Sequence, residues 1–220
     1  MEVIYGFQNN RRTKVEYMTE QQALQDDYYH KFFKDDSGLI KKVEIYKNQN
    51  LSAIEYYLDA GEDETQLLNE FYQFVDSVGF FERKIPIGSY FIERERSYQK
   101  DTPSYIWRYI RVYDAQNRLV CYQRIDENDN PRVDTRTTEK YYYTNITTIE
   151  TDGTSSTDLF YLQFYYDKAT QDIIDIDVNN GHIVEENRHL IDTLDDLNEV
   201  MEYFGSNHDF SYYLHPNWMP

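Results

Sequence analysis

Residues 28–58 decide the fold, because they read YYHKFFK, DDSG, LIKKVEIYK, NQN and LSAIEYYL in succession. The three long runs are rich in aromatic and β-branched residues, which favour strands. The polar segments between them consist of residues that tolerate left-handed backbone and form local side-chain hydrogen bonds. The pattern therefore predicts three antiparallel strands joined by turns at residues 35–38 and 48–50.

The flanking segments extend this sheet in both directions. Residues 2–7 and 13–18 predict a hairpin around Asn9 and Asn10, and Thr19 to Gln22 has the capping-box spacing of a short helix that ends near Asp27. Further strands are predicted near residues 89–98, 105–113, 119–125, 138–144, 146–151 and 159–166, with residues 152–156 as a polar loop. Residues 173–178 and 182–185 predict another hairpin.

Two longer helices interrupt the strands. Apolar residues recur at helical spacing over residues 64–78, with Asp63 as a cap and Gly79 as a stop, and again over residues 194–204, which end at Gly205. Residues 212–220 are aromatic and are expected to dock back on the fold. The predicted fold class is α+β, mainly β: a twisted antiparallel sheet meander with two or three short packing helices. Residues 1–220 are expected to form a single domain, with possible sub-lobes 1–80 and 81–220.

The composition favours a folded, strongly acidic protein with a basic partner. The 220 residues include 23 Tyr, 12 Phe and 2 Trp, enough large rings to build a core. The net charge of −18 disfavours binding to nucleic acid or to an anionic membrane surface. Residues 169–220 alone contain eleven acids and one cation, Arg188. The alternative is that this charge serves only to keep a Tyr-rich β protein soluble.

Several classes of site are not favoured. The start of the chain lacks a secretory pattern and no run is long enough to span a membrane, so a cytoplasmic location is expected. Cys121 is predicted to pack within a strand. We expect no catalytic residue, metal or cofactor, because no catalytic, phosphate-binding or zinc motif is present. A hydrolase that uses some of the many scattered carboxylates is a further alternative for the function.

Two acidic segments resemble calcium loops. Asp175 and Glu186 occupy the first and twelfth positions of an EF-hand spacing, but Asn180 stands where Gly is needed and the flanks read as strands. We favour a tight turn at Asn180 and Gly181. Whether this segment binds calcium is left open. Residues 126–130 are predicted to form a turn.

One turn carries a family resemblance. Residues 113–119 read YDAQNRL, which resembles the Y-D-x-x-G-R-L turn of bacterial YD (Rhs-type) repeats, with Asn117 in place of Gly. Asn is the next best residue for positive φ. Residues 33–39 and 46–51 match more loosely, and the second is also similar to MORN-variant hairpins of antitoxin-like proteins. The resemblance covers about a quarter of the chain and implies a small bacterial immunity or antitoxin-like protein.

The resulting expectation is an immunity protein that occludes the active site of a basic toxin, such as a nuclease. The alternative is a structural or adaptor β domain that binds a protein or peptide. The oligomeric state is left open. Carboxylates that imitate phosphates, with tyrosine anchors beside them, are predicted to bind the partner: Asp59, Glu62, Asp63, Glu64, Asp192, Asp195, Asp196, Glu199, Glu202, Tyr56 and Tyr212.

Overall fold

The protein is described by a computed structural model that covers residues 2–8, 15–102, 106–133, 138–149, 155–180, 189–191 and 210–219. These residues are mainly β, with antiparallel strands and two short α-helices, which confirms the predicted fold class. The chain divides into two compact units, Met1–Leu119 and Val120–Pro220. The boundary suggested after residue 80 falls within a strand of the first unit. A single domain stays a prediction.

The described part of the first unit contains nine strands. They are β1 (Glu2–Gln8), β2 (Val15–Met18), β3 (Tyr28–Lys34), β4 (Ile40–Lys47), β5 (Asn50–Tyr57), β6 (Ser77–Phe81), β7 (Ile85–Ile87), β8 (Tyr90–Gln99) and β9 (Trp107–Tyr113). Their order is β2-β1-β3-β4-β5-β6-β8-β9, and β7 pairs with β8. Among these pairs β5 and β6 run parallel, and the others run antiparallel.

The central meander β3-β4-β5 matches the sequence prediction. Gly38 in the first turn has φ of 82°, and Asn48 and Gln49 in the second have φ of 48° and 62°. Positive φ at two successive central residues is the backbone of a type I′ hairpin turn, whose twist suits two adjacent strands. The predicted hairpin at the start of the chain is also confirmed, because β1 and β2 pair with each other and Tyr5 lies opposite Met18.

The two helices that the structure describes in the first unit begin where their caps predict. Helix α1 (Glu20–Ala23) has a full capping box between Thr19 and Gln22. Helix α2 (Glu64–Phe71) begins after Asp63, whose carboxylate caps it.

Helix α2 ends earlier than the sequence pattern indicated. The predicted helix over residues 64–78 was wrong beyond Phe71, and Val78 and Gly79 belong to β6. Helix α2 is the crossover between the parallel strands β5 and β6, so the chain must leave the helix early enough to re-enter the sheet. The apolar side of α2 packs on the sheet through a core of Ile54, Val75, Val78, Phe80, Tyr98, Leu67, Leu68 and Phe71.

The described residues of the second unit form five strands. They are β10 (Leu119–Arg124), β11 (Thr138–Ile149), β12 (Ser155–Tyr166), β13 (Ile173–Asn180) and β14 (His189–Ile191), and successive strands pair antiparallel. The predicted break near residue 145 was wrong, because β11 pairs with β12 without interruption from Glu139 to Ile149. The loop predicted over residues 152–156 was wrong at its end, since β12 begins at Ser155. The predicted strand 182–185 and helix 194–204 lie outside the described residues.

Residues 210–219 dock back on the second unit, as the sequence predicted. They contain one 3₁₀ turn, Ser211–Tyr213, and otherwise no regular structure. Tyr213 packs in a core with Leu162, Phe164, Tyr166 and Ile176. We call residues 210–219 the strap.

An aspartate begins four of the turns in the same way. The side chains of Asp35, Asp114, Asp126 and Asp167 each accept two backbone N–H bonds from within the turn that follows. A later residue of each turn has positive φ, including Asn117 at 61°. The predicted turn at residues 126–130 and the predicted backbone at Asn117 are therefore confirmed. The family resemblance of the second turn stays a prediction.

Candidate functional site

Five of the predicted partner-binding residues lie together in the first unit. They are Tyr56 at the end of β5 and Asp59, Glu62, Asp63 and Glu64, which lead into α2. We call residues 58–64 the acidic loop. Their nearness follows from chain order, since β5 ends at Tyr57 and α2 begins at Glu64.

Lys41 organises the first half of the acidic loop. Its Nζ lies 2.6 Å from Asp59 Oδ2 and 2.7 Å from Glu62 Oε2, and 4.5 Å from the centre of the Tyr56 ring. Glu62 also accepts from the Tyr56 hydroxyl at 2.8 Å and from the Asp59 N–H at 2.7 Å. Although burial favours its protonated form, these donors hold the pKa of Glu62 below its usual value. The Glu62 carboxylate is thus held in its ionised form.

The second half of the acidic loop caps α2 and reaches β8. Asp63 Oδ1 accepts from the N–H groups of Thr65 and Gln66 at 2.9 and 3.1 Å. The Glu64 carboxylate accepts from Arg96 Nε at 3.1 Å and from the Tyr98 hydroxyl at 2.5 Å. Burial, and then this hydrogen bond, raise the pKa of Tyr98 well above its usual value. Glu64 is therefore engaged mainly in contacts within the protein.

Negative charge nonetheless remains at the surface of the acidic loop. The Asp59 side chain is 56% exposed, whereas those of Glu62 and Glu64 are 30% and 25% exposed. Asp63 is also exposed, and capping uses only one of its oxygens among the described residues. Because internal partners hold these groups in place, little side-chain entropy would be lost when a partner binds them.

An exposed aromatic ring and a cleft lie beyond the other end of α2. Phe74 is 69% exposed, although a large apolar ring is usually covered. A cleft of about 400 Å³ adjoins it, lined by Lys47, Asn50, Leu51, Ser52, Tyr72, Gln73, Phe74, Val75, Asp76 and Lys100. The eight residues of helix α2 span roughly 12 Å, which separates the acidic loop from the residues that follow Phe71. Acidic and apolar features thus lie at opposite ends of α2.

Of the remaining predicted partner-binding residues, the structure describes Tyr212 alone. Tyr212 lies in the strap, where its hydroxyl donates to the Trp218 carbonyl at 2.9 Å and its own carbonyl accepts from Lys140. It therefore anchors the second unit internally. Asp192, Asp195, Asp196, Glu199 and Glu202 lie outside the described residues.

The sequence analysis missed a row of buried charges on β8. Glu93 is 2% exposed, and the hydroxyls of Tyr113 and Tyr57 donate to it at 3.2 and 3.4 Å. Two residues further along β8, Glu95 pairs with Arg111 on β9. The signal was present in the strict alternation E-R-E-R over residues 93–96, which puts two carboxylates on one face of the strand. The pairing of these charges gives them a structural role.

No metal or reactive site is visible among the described residues. No group of three or more His, Cys, Asp or Glu side chains there could hold a metal ion. Asp175 lies in β13 and Glu186 outside the described part, so the calcium question stays open. Cys121 is fully buried in β10, as predicted, and burial raises the pKa of its thiol to about 11. No helix in the described ranges is long and apolar enough to cross a bilayer.

Comparison with known proteins finds no relative of this chain. No family model, curated protein or solved structure matches this chain.

Proposed function

We propose that this protein acts by binding a basic protein rather than by catalysis, and that it contacts its partner through the acidic loop and the adjoining side of α2. The observation that carries the proposal is the pair of exposed carboxylates, Asp59 and Asp63, held in fixed positions by Lys41 and by the start of α2. Phe74 would supply the apolar contact. Aromatic rings are enriched at the centres of protein interfaces.

The distribution of charge supports a cationic partner. Residues 1–119 contain 20 acidic and 16 basic side chains, and residues 120–220 contain 20 and 6, so the net charges are −4 and −14. A field of this size speeds the approach of a positive protein and repels nucleic acid. Together with the resemblance to YD-type turns, it favours an immunity protein that neutralises a basic toxin such as a nuclease.

The experiment is to measure association with the product of the adjacent upstream gene, with matched charge variants. Asp63→Asn removes a charge from the acidic loop but keeps a side chain that can cap α2. Asp27→Asn removes the same charge from an exposed position between α1 and β3. We expect the first variant to slow association by about threefold at low salt and the second to leave it within experimental error. Equal effects, or no association at low salt, would contradict the proposal.

A salt series distinguishes the adaptor alternative, which the exposed Phe74 ring favours. Raising the ionic strength from about 0.01 M to about 0.15 M shortens the Debye length from about 30 Å to about 8 Å. Association steered by charge should slow by roughly tenfold over this range. An adaptor that binds mainly through an apolar contact would show little change with salt and a large loss in Phe74→Ala.

A further inference from the structure

The strap is held to the second unit without any strand pairing. Among the described residues its main chain joins no ladder, and side chains bind its carbonyl groups instead. Lys140 donates to the Tyr212 carbonyl and Gln123 to the Pro216 carbonyl, and the Tyr166 hydroxyl donates to the Tyr213 carbonyl at 2.6 Å. The strap could therefore leave without breaking a hydrogen bond between strands.

Two buried rings contribute to the apolar part of the attachment. Trp218 is 4% exposed, and its indole N–H donates to the Asp129 carbonyl at 2.9 Å. Tyr213 is 8% exposed and stacks 5.3 Å from the ring of Phe164. Met219, the next residue after Trp218, is 57% exposed. Attachment is therefore concentrated in a few side chains.

The strap covers an unusual pair of side chains. Cys121 and Lys140 are cross-strand neighbours in β10 and β11, and neither is exposed. The Lys140 ammonium has one carbonyl partner and lies 3.5 Å from the centre of the Tyr212 ring, and no carboxylate of the described residues pairs with it. The Tyr212 side chain also lies close enough to Cys121 to affect the pKa of the thiol. Tyr212 therefore connects the strap to this pair.

A lysine in this setting favours release of the strap. An ammonium has three N–H donors, and here it uses one on a carbonyl oxygen. Burial of a charge is costly unless the charge is paired, so water would stabilise Lys140 as soon as the strap moved away. The Gln123 side-chain oxygen is also buried without a partner among the described residues and would gain water in the same step.

We propose that the strap is a releasable cover, which opens while the sheet of the second unit stays folded and so controls access to Cys121 and Lys140. The exposed surface would carry a thiol beside an ammonium group, which stabilises the thiolate and makes the sulfur reactive. In the closed state the thiol is shielded from reagents and oxidants. Opening of the strap thus sets the reactivity of Cys121.

The single cysteine makes the proposal directly measurable in the full-length chain. Labelling of Cys121 by Ellman's reagent is followed at low urea concentrations, where far-UV circular dichroism stays constant. We expect a labelling rate that depends weakly on urea, because local opening exposes little surface. A rate with the same urea dependence as global unfolding would overturn the proposal.

Variants of the strap provide the second part of the test. Trp218→Ala removes a buried ring and should raise the labelling rate by about a hundredfold or more, whereas Met219→Ala should stay within about threefold of the wild type. Tyr166→Phe removes one hydrogen bond and should raise the rate by about fivefold, which keeps the test valid if Trp218→Ala does not fold. Equal rates in Trp218→Ala and Met219→Ala, or an unchanged rate in Tyr166→Phe, would refute the proposal.

Discussion

Replacement of Lys140 by methionine is expected to stabilise the protein at neutral pH and to destabilise it at alkaline pH. Burial lowers the pKa of Lys140 from 10.5 to about 8, opposed in small part by Cys121. The folded state therefore disfavours the ammonium form. This penalty is fully present below the folded pKa, declines between the two values, and is absent above 10.5.

The magnitude follows from the size of the pKa shift. A depression of about 2.5 pKa units corresponds to a penalty of about 3 kcal/mol at pH 7, which falls to about 1.5 kcal/mol at pH 9.5. Methionine removes this penalty but leaves the Tyr212 carbonyl without its donor, at a cost of about 2 kcal/mol. Lys140→Met should thus gain about 1 kcal/mol at pH 7 and lose about 0.5 kcal/mol at pH 9.5.

Urea unfolding of both proteins at the two pH values measures this change of sign. The comparison with the wild type at each pH cancels the titration of the other groups that the proteins share. Lys168→Met, at an exposed lysine of the same unit, is the matched control and should stay within about 0.5 kcal/mol at both pH values. A Lys140→Met protein that is less stable at pH 7, or a difference that does not depend on pH, would refute this reasoning.

Substitutions at three further positions test local features of the first unit. Asn117→Ala should cost about 1 kcal/mol, since φ there is 61° and the side chain accepts from Lys84 at 2.5 Å, while Asn117→Gly should cost less than Asn117→Ala. Gly6→Ala should cost about 2 kcal/mol, because the added Cβ would lie 2.6 Å from the Glu16 carbonyl oxygen. Thr19→Ala should cost about 1 kcal/mol through loss of the capping box, and Thr19→Ser should retain it. Thermal or urea midpoints measure each effect.

Each of these substitutions has an outcome that contradicts its explanation. Equal midpoints for alanine and glycine at residue 117 would mean that backbone conformation does not limit that turn. A stable Gly6→Ala protein would show that β1 and β2 can separate without cost. Equal losses in Thr19→Ala and Thr19→Ser would exclude capping as the cause.

Local features of the sequence predicted the strands and turns well, because their causes are local. Residues 28–58 alternate between strand-forming runs and turn residues, so the three strands were predicted at their observed positions. Caps at Thr19 and Asp63 marked the starts of both described helices. The end of α2 was predicted too late because Val78 continues the helical spacing, while its pairing with Ile54 and Tyr98 in the sheet decides its conformation.

The candidate site was only partly predictable, because its partners come from distant parts of the chain. The acids of the acidic loop are adjacent in sequence, so their grouping could be predicted. Their neutralisation by Lys41 and Arg96 depends on strand order, which sequence periodicity does not specify. The same holds for Tyr212, whose ring suggested a surface contact but which lies against Lys140, 72 residues away.

The strap lies far in sequence from the residues that bind it, so these residues are synthesised well before the strap. Gln123 and Pro216 are 93 residues apart, and at about 5–20 residues per second the ribosome needs roughly 5–20 s to make the intervening chain. Antiparallel neighbours such as β10 and β11 can pair within that interval, as each is complete soon after the other. The thiol of Cys121 is therefore uncovered in every nascent chain for some seconds, whatever the mature protein later does with it.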